Sequence, residues 1–456
     1  MLHRYHGLRI AVAGLGVSGL AVARACKELG AFPTVLDQQP GDSDRIIAAV
    51  DQLSGEGIPV VTGWHGRLDR ADYDLLVVSP GLPPRHPVMS DMVGKVIGEI
   101  EFAYQVAKAP ILAVTGTNGK STTTSMLWLL LRDSGGALCG NIAGSGFPEQ
   151  VFTTAAMNTK EFGYLVAEVS SAQLETVDEF KPRVAAITNL SQDHLDRYGS
   201  FEEYRKAKLN LLSRMSTGDT IVVNTDEDAV TPALARKLSQ GANVVCYSPS
   251  GHGEQTGVTR QVGDVVFFGD EKISVQELPF YGAHNVTNAR MAWEMASALG
   301  RPLSLDHLLE FRGLDNRMEI VGKNRGVTVV NNSMCTNPMA IVKSSQGWPG
   351  RHHLLLGGNT KNMDFSPLRE YLEDTAHEVY LFGDNPEPLS SMLGGRWPAF
   401  STLKEAFDYA IERASDGESV MLSPGCASAE PYRNFKERGE AFRKMAKEWL
   451  ENEKDL

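Results

Sequence analysis

Cysteine is scarce in this chain: five residues, Cys26, Cys139, Cys246, Cys335 and Cys426, are scattered over 456 positions. None of them is paired at the short spacing of a zinc site or a disulfide framework, so both are excluded and buried thiols in a reducing cytoplasm are expected. A basic excess is lacking too, with Lys plus Arg at 44 against Asp plus Glu at 56 and a net charge of −12. That balance argues against nonspecific binding to nucleic acid or to an anionic membrane, so anionic ligands must be caught locally. Long apolar runs are missing, none approaching the roughly 18–20 residues that span a bilayer. Arg4 and Arg9 ahead of an apolar stretch ending in Ala21-Val22-Ala23 have the outline of a secretory signal, but three glycines break it at a spacing with a better use. Short-period repeats and low-complexity tracts are absent as well. What remains, 42% hydrophobic and 22% charged, is the composition of a soluble globular chain with room for two to four domains.

The strongest feature present is Thr115-Gly116-Thr117-Asn118-Gly119-Lys120-Ser121-Thr122. It follows the apolar run Ile111-Leu112-Ala113-Val114 and precedes the helix-like Thr123-Thr124-Ser125-Met126-Leu127-Trp128. A strand, a glycine turn and a helix start in that order make a phosphate cradle. Backbone N–H groups point inward, the helix N-terminus adds positive potential, Lys120 reaches the outer phosphates and Ser121 can hold magnesium. Gly116, Thr117, Asn118, Gly119 and Thr122 complete the nucleotide contact. A strict P-loop has glycine where Val114 stands, so this is a variant with Gly116 and Gly119 as pivots.

A second glycine pattern, Gly14-Leu15-Gly16-Val17-Ser18-Gly19, follows the strand-like Arg9-Ile10-Ala11-Val12-Ala13 and opens a helix through Leu29. The next strand, Pro33-Thr34-Val35-Leu36, ends at Asp37. This predicts a βαβ unit for a dinucleotide or another diphosphate. Leu75 to Val78 reads as a further parallel strand running into the loop Ser79-Pro80-Gly81. The expected fold is therefore α/β in three domains. Residues 1–98 are Rossmann-like, 99–301 form a central P-loop-type ATPase with a mostly parallel sheet, and 302–456 are again Rossmann-like, with four strands separated by helices.

Polar clusters follow the cradle at predicted strand ends, where one sheet would present them to phosphates. Glu168 ends Leu165-Val166-Ala167 and could complete a magnesium shell begun by Ser121. His194, in Asp193-His194-Leu195-Asp196, is available as a metal ligand or hydrogen-bond partner. Lys208 lies on a predicted helix, and spacing alone does not lift it above Lys206.

Together, the cradle, Glu168 with Ser170-Ser171, the run Asp193 to Tyr198, Tyr204-Arg205-Lys206-Ala207-Lys208, His284-Asn285-Val286-Thr287-Asn288-Ala289, Arg317 and Ser423-Pro424-Gly425-Cys426-Ala427-Ser428 stand in the order found in Mur ligases. The chain resembles that family over essentially its whole length. Its N-terminal GxGxxG domain sets it apart from the folylpolyglutamate branch, and Asn434 to Gly439 make it most similar to members that add D-glutamate.

The resemblance implies ATP-dependent amide formation in peptidoglycan precursor synthesis, through an acyl phosphate, with UDP-N-acetylmuramoyl-L-alanine and D-glutamate as substrates. It implies catalytic roles for Lys120, His194 and Lys208. One magnesium ion would sit on Ser121 and Glu168, and a second on His194 and a carbamylated Lys208, since carbamylation turns a cation into an oxygen ligand. Asn285 and Arg317 would meet ATP and Asn141 the muramyl end, while Ser18, Asp37, Ser79 and Gly81 would hold UDP. Thr336, Lys361, Ser428 and Phe435 would hold the amino acid. A monomer whose domains close on ATP is expected.

The C-terminal domain departs from the pattern. Where relatives have Asp-Ser-Lys-Ala-Thr-Asn, this chain has Asn332-Ser333-Met334-Cys335-Thr336-Asn337, losing an acid and a base together. Ala429, Ala172 and Gln39 also replace a usual leucine, aromatic and basic residue. A relative that joins another amino acid, such as L-glutamate, is the alternative. A nicotinamide oxidoreductase would leave the second cradle unused, and a nucleotide switch would hydrolyse ATP with no acceptor present.

Overall fold

The computed structural model describes residues 4–83, 85–160, 163–191, 195–228, 230–360 and 363–452. The chain forms two compact units. One comprises Met1–Ala143, Phe147–Glu277 and Thr287–Leu308, the other Gly144–Gly146, Leu278–Val286 and Leu309–Leu456.

The first unit opens with a five-stranded parallel sheet of β1 (Arg9–Ala13), β2 (Phe32–Leu36), β3 (Val60–Val61), β4 (Leu75–Val78) and β5 (Val96–Gly98), in the order β3-β2-β1-β4-β5. Residues along β1 alternate between two cores. Ile10 and Val12 join one with Val35 and Val77, while Ala11 and Ala13 join the other with Leu36, Leu76 and Val78. Both faces are covered, as a doubly wound parallel sheet requires.

A six-stranded sheet follows: β6 (Ile111–Thr115), β7 (Gly136–Gly140), β8 (Tyr164–Glu168), β9 (Val184–Ile187), β10 (Thr220–Asn224) and β11 (Asn243–Tyr247), in the order β11-β10-β9-β6-β8-β7 with every pairing parallel. Its core is continuous with that of the first sheet, since Ile10 and Phe102 share a cluster with Ala113, Phe152 and Phe180. The order places β6 between β8 and β9, so the segments leaving all three strands emerge side by side. An antiparallel meander, β12 (Thr259–Val262), β13 (Val265–Phe268) and β14 (Glu271–Ser274), completes the unit's sheets. Its two-residue turns, Gly263-Asp264 and Gly269-Asp270, carry the glycine that such hairpins need.

In the second unit, β15 (Glu319–Asn324), β16 (Val327–Asn331), β17 (His352–Gly357), β18 (Glu378–Phe382), β19 (Ala399–Phe400) and β20 (Ser419–Leu422) form a sheet in the order β15-β16-β20-β17-β18-β19. Only β15 is antiparallel, joined to β16 through Arg325 and Gly326, both at positive φ. Here too period two divides the strands: Val330, Leu354, Leu356 and Met421 face one core, and Val329, Leu355, Val420 and Leu422 the other. The α/β class with mostly parallel sheets is the one expected. The sequence reading had four strands here, and the edge strands β15 and β19 are additions. All five cysteines are free and buried.

Candidate active site

The cradle leaves β6 and turns into the helix Lys120–Leu131 through two glycines at positive φ, where any side chain would be strained. Gly116 has φ +146°, and a Cβ there would lie 1.9 Å from Thr188 Oγ1. Gly119, the residue ahead of the helix, has φ +80°, and a Cβ there would lie 2.6 Å from Asn288 Oδ1. The loop is held from β9, the next strand in the sheet. Thr117 N donates to Asn189 O and Asn118 N to Asn189 Oδ1, both at 2.9 Å. Thr188 Oγ1 donates to Asn118 O at 2.5 Å. Thr117 Oγ1 accepts from Ser191 N at 3.0 Å and meets Tyr204 OH at 3.2 Å. Lys120 Nζ donates to Thr117 O at 3.0 Å, lying over the loop it serves.

Glu168 ends β8 on the other side of β6 and is 2% exposed. Its Oε2 accepts from Ser121 Oγ at 2.6 Å, and its Oε1 accepts from Asn141 Nδ2 at 2.8 Å. Asn141 is in turn fixed by its own N–H, which donates to Glu168 O at 2.8 Å. Lys208 is also 2% exposed, with Nζ 3.4 Å from Thr115 Oγ1 and 4.9 Å from the Tyr204 ring centroid. Cradle, hydroxyl, carboxylate and buried lysine thus converge at the C-terminal edge of β6, β8 and β9. His194 lies outside the described residues.

A serine hydroxyl and a carboxylate are hard oxygen donors, which suits magnesium, an ion that takes one or two protein carboxylates and fills its shell with phosphate oxygens and water. Among the described residues no three His, Cys, Asp or Glu side chains converge as a metal cage.

Sequence reasoning names Thr188 and Asn189 only within the strand-end cluster that carries His194, and Tyr204 and Asn288 only within motifs, and gives none of the four a role. Thr188, Asn189 and Tyr204 support the loop, yet only the strand order makes β9 the neighbour of β6. Asn288 approaches Gly119, whereas Asn285 donates from Nδ2 to Tyr281 O at 2.8 Å in the second unit.

At the edge of the first sheet, Asp37 takes Leu15 N at 2.6 Å and Gln39 N at 2.9 Å, so the carboxylate braces the glycine loop. A Cβ on Gly14 would lie 2.6 Å from Ser79 Oγ, and one on Gly19 would lie 1.9 Å from Gly14 O. Ser18, half-buried in the first turn of the helix Val17–Glu28, and Gly81, exposed beyond β4, lie on the two loops that Gly14 and Ser79 bring together.

In the second unit, the loop after β16 carries Asn332 to Thr336. Asn332 is 4% exposed and satisfied as a neutral amide: Oδ1 accepts from Met318 N at 3.3 Å, and Nδ2 donates to the hydroxyls of Ser344 and Ser423 at 3.3 and 3.2 Å. Met334 Sδ stands 3.1 Å from a terminal nitrogen of Arg317. Loops after β16, β17 and β20 are tied to one another: Gly425 N donates to Cys335 O at 2.9 Å, and Asn359 and Ala427 exchange hydrogen bonds of 2.8 and 3.0 Å. Thr336 and Ser428 sit on these loops, and Phe435 opens the last helix, Phe435–Asn452. Lys361, two residues past Asn359, lies outside the described residues. Burial raises the thiols of Cys335 and Cys426 to about 12, so neither is a thiolate at neutral pH.

Comparison with known families finds a match to the Mur ligase MurD-like N-terminal domain over residues 8–100, to the Mur ligase middle domain over 114–296 and to the Mur ligase glutamate ligase domain over 316–426. The chain is similar to the UDP-N-acetylmuramoylalanine--D-glutamate ligase of Acidobacterium capsulatum, 34% identical with 96% of each chain covered. It is also similar to that of Koribacter versatilis, 32% identical with 98% of this chain and 99% of the relative covered. The structure of MurF ligase from Thermotoga maritima in complex with ADP shares the fold, at a TM-score of 0.55 and 16% identity over 98% of both chains.

Proposed function

The chain belongs to the Mur ligase family, and on that premise we propose that it joins D-glutamate to UDP-N-acetylmuramoyl-L-alanine at the expense of ATP, in peptidoglycan precursor synthesis. A carboxylate is a poor electrophile, so the substrate acid first takes the terminal phosphoryl group of ATP. The amine of the amino acid then attacks the acyl phosphate, and phosphate leaves.

In this reading Lys120 and the N–H groups of Gly116 to Thr122 grip the outer phosphates. Ser121 and Glu168 hold one magnesium, and His194 with a carbamylated Lys208 a second. Bound magnesium supplies neutralisation of the charge that builds on phosphoryl oxygens, in a site whose groups are oriented beforehand. Asn285 and Arg317 meet the nucleotide, and Asn141 orients the muramyl end beside the carboxylate it already bonds. Ser18, Asp37, Ser79 and Gly81 hold UDP. Thr336, Lys361, Ser428 and Phe435 hold glutamate. Residues 1–98, 99–301 and 302–456 then divide the labour between UDP, ATP and amino acid, in a monomer of the cytoplasm.

The observation that carries the reading is the bonded series Ser121, Glu168, Asn141 beside the Lys120 cradle: it links the place for a metal-bound phosphate to the place for the acid. The test is phosphate release with ATP, magnesium, UDP-N-acetylmuramoyl-L-alanine and a panel of D- and L-amino acids. D-Glutamate should be preferred, with near silence when acid or amine is omitted. Preference for another amino acid would replace the acceptor, and substantial hydrolysis without one would overturn the ligase reading.

A further inference from the structure

Arg438, in the first turns of the helix Phe435–Asn452, is 1% exposed, and all of its hydrogen-bond partners are hydroxyl and carbonyl oxygens. Its Nε donates to Ser333 Oγ at 3.1 Å and one terminal nitrogen to Ser333 O at 2.9 Å. The other terminal nitrogen reaches Gly357 O at 3.4 Å, and both terminal nitrogens reach Cys426 O at 3.4 Å. Burying a guanidinium without a counter-charge is costly, and here burial pulls its pKa down to about 10. Such a group persists where its planar fork organises several acceptors at once.

The three carbonyls lie at or just beyond the ends of three different strands. Ser333 follows β16 and precedes Thr336 by three residues; Gly357 ends β17 and leads toward Lys361; Cys426 follows β20 and precedes Ser428 by two. Backbone is kept close to the guanidinium deliberately, since a Cβ on Gly358 would lie 2.2 Å from Ala427 O and 3.2 Å from an Arg438 nitrogen. Ser333 Oγ also donates to Phe435 O at 2.8 Å, which ties the start of the helix to the same cluster. One buried cation therefore stands behind every described loop on which the acceptor residues are carried.

We propose that Arg438 is the positioning residue for the incoming amino acid: by clamping the carbonyls of Ser333, Gly357 and Cys426 it sets the spacing of Thr336 and Ser428, and its fixed charge favours a dicarboxylate. The proposal rests on the reading that these loops hold the acceptor. It concerns a group that touches loops, not substrate, so its signature is a KM effect confined to one of three substrates.

The experiment measures steady-state phosphate release by the full-length wild type, Arg438→Lys and Arg438→Met, varying each substrate in turn. Arg438→Met is expected to raise KM for the amino acid at least ten-fold, with KM for ATP and for the nucleotide-linked acid within two-fold of wild type. Arg438→Lys, which keeps the charge but not the fork, should recover part of that loss. An equal rise in KM for all three substrates, no rise in any of them, or a fall in kcat alone would overturn the proposal. If neither variant folds, Ser333→Ala decides: a rise of three-fold or more in amino-acid KM alone supports the clamp, and no change sinks it. The wild-type arm separately reads the acceptor. If it uses an amino acid other than glutamate, the glutamate assignment fails, and the same comparison made with that amino acid still tests Arg438.

Discussion

Ser121 Oγ donates a 2.6 Å hydrogen bond to Glu168 Oε2, joining the first turn of the helix after the cradle to the end of β8. The contact pairs the two oxygens expected on one magnesium, and it forms because β6 and β8 are neighbours in the sheet.

Glu168→Gln keeps an acceptor for Ser121 but removes the charge. Turnover should fall about a hundred-fold or more, the scale for losing one preorganised electrostatic group. Thermal stability should change little. Phosphate-release kinetics with a thermal melt check both, and a variant retaining more than a third of wild-type kcat would rule out the metal role.

Gly116→Ala forces φ +146° on a residue with a Cβ and drives that carbon to 1.9 Å from Thr188 Oγ1. Strain and overpacking together should cost about 2–4 kcal/mol. Urea denaturation and titration with ADP should show lower stability and loss of nucleotide binding, whereas a wild-type profile would mean the loop relaxes freely.

Met334→Lys alone should not restore the family pattern usefully. The new ammonium would stand where Met334 Sδ meets Arg317, 3.1 Å from one of its nitrogens. KM for ATP should rise several-fold. Adding Asn332→Asp supplies the missing acid, so the double variant should recover much of the loss, giving a coupling of about 1 kcal/mol or more in a double-mutant cycle. Strict additivity would show that the two positions act independently.

His377 holds its pKa down to about 4, through burial first and then the nearby His352 and Arg351. Its Nδ1 accepts from His352 N at 3.1 Å, so the neutral ring is the bonded form. The unfolded chain binds this proton below about 6.5, and the folded chain only below about 4. Stability is therefore intact above pH 6.5 and lost progressively as pH falls toward 4. His377→Asn, whose Oδ1 can replace Nδ1, should flatten that part of a melting-temperature profile between pH 4 and 7, and an unchanged slope would assign it to other groups.

Much of this was legible in the residues. The cradle glycines announced themselves because a strand, a turn that needs positive φ and a lysine at the helix start leave little local freedom. Strands β1, β6 and β17 were readable as continuous apolar runs, the mark of burial on both faces. The meander β12–β14 and the edge strand β15 were not read, although Gly263-Asp264, Gly269-Asp270 and Arg325-Gly326 carry hairpin chemistry. Their strands are short and half exposed, so periodicity barely speaks there.

Local chemistry, written residue by residue, therefore determined the cradle, the alternating core and the buried thiols, because each depends on neighbours a few positions away. Tertiary structure alone decided that Thr188 and Asn189 brace the cradle, that Asn288 abuts Gly119, that Asn332 lives as a neutral amide, and that Arg438 gathers three strand ends. Those relations follow from strand order: a parallel sheet brings together segments tens of residues apart, and no spacing along the chain encodes which of them will be neighbours.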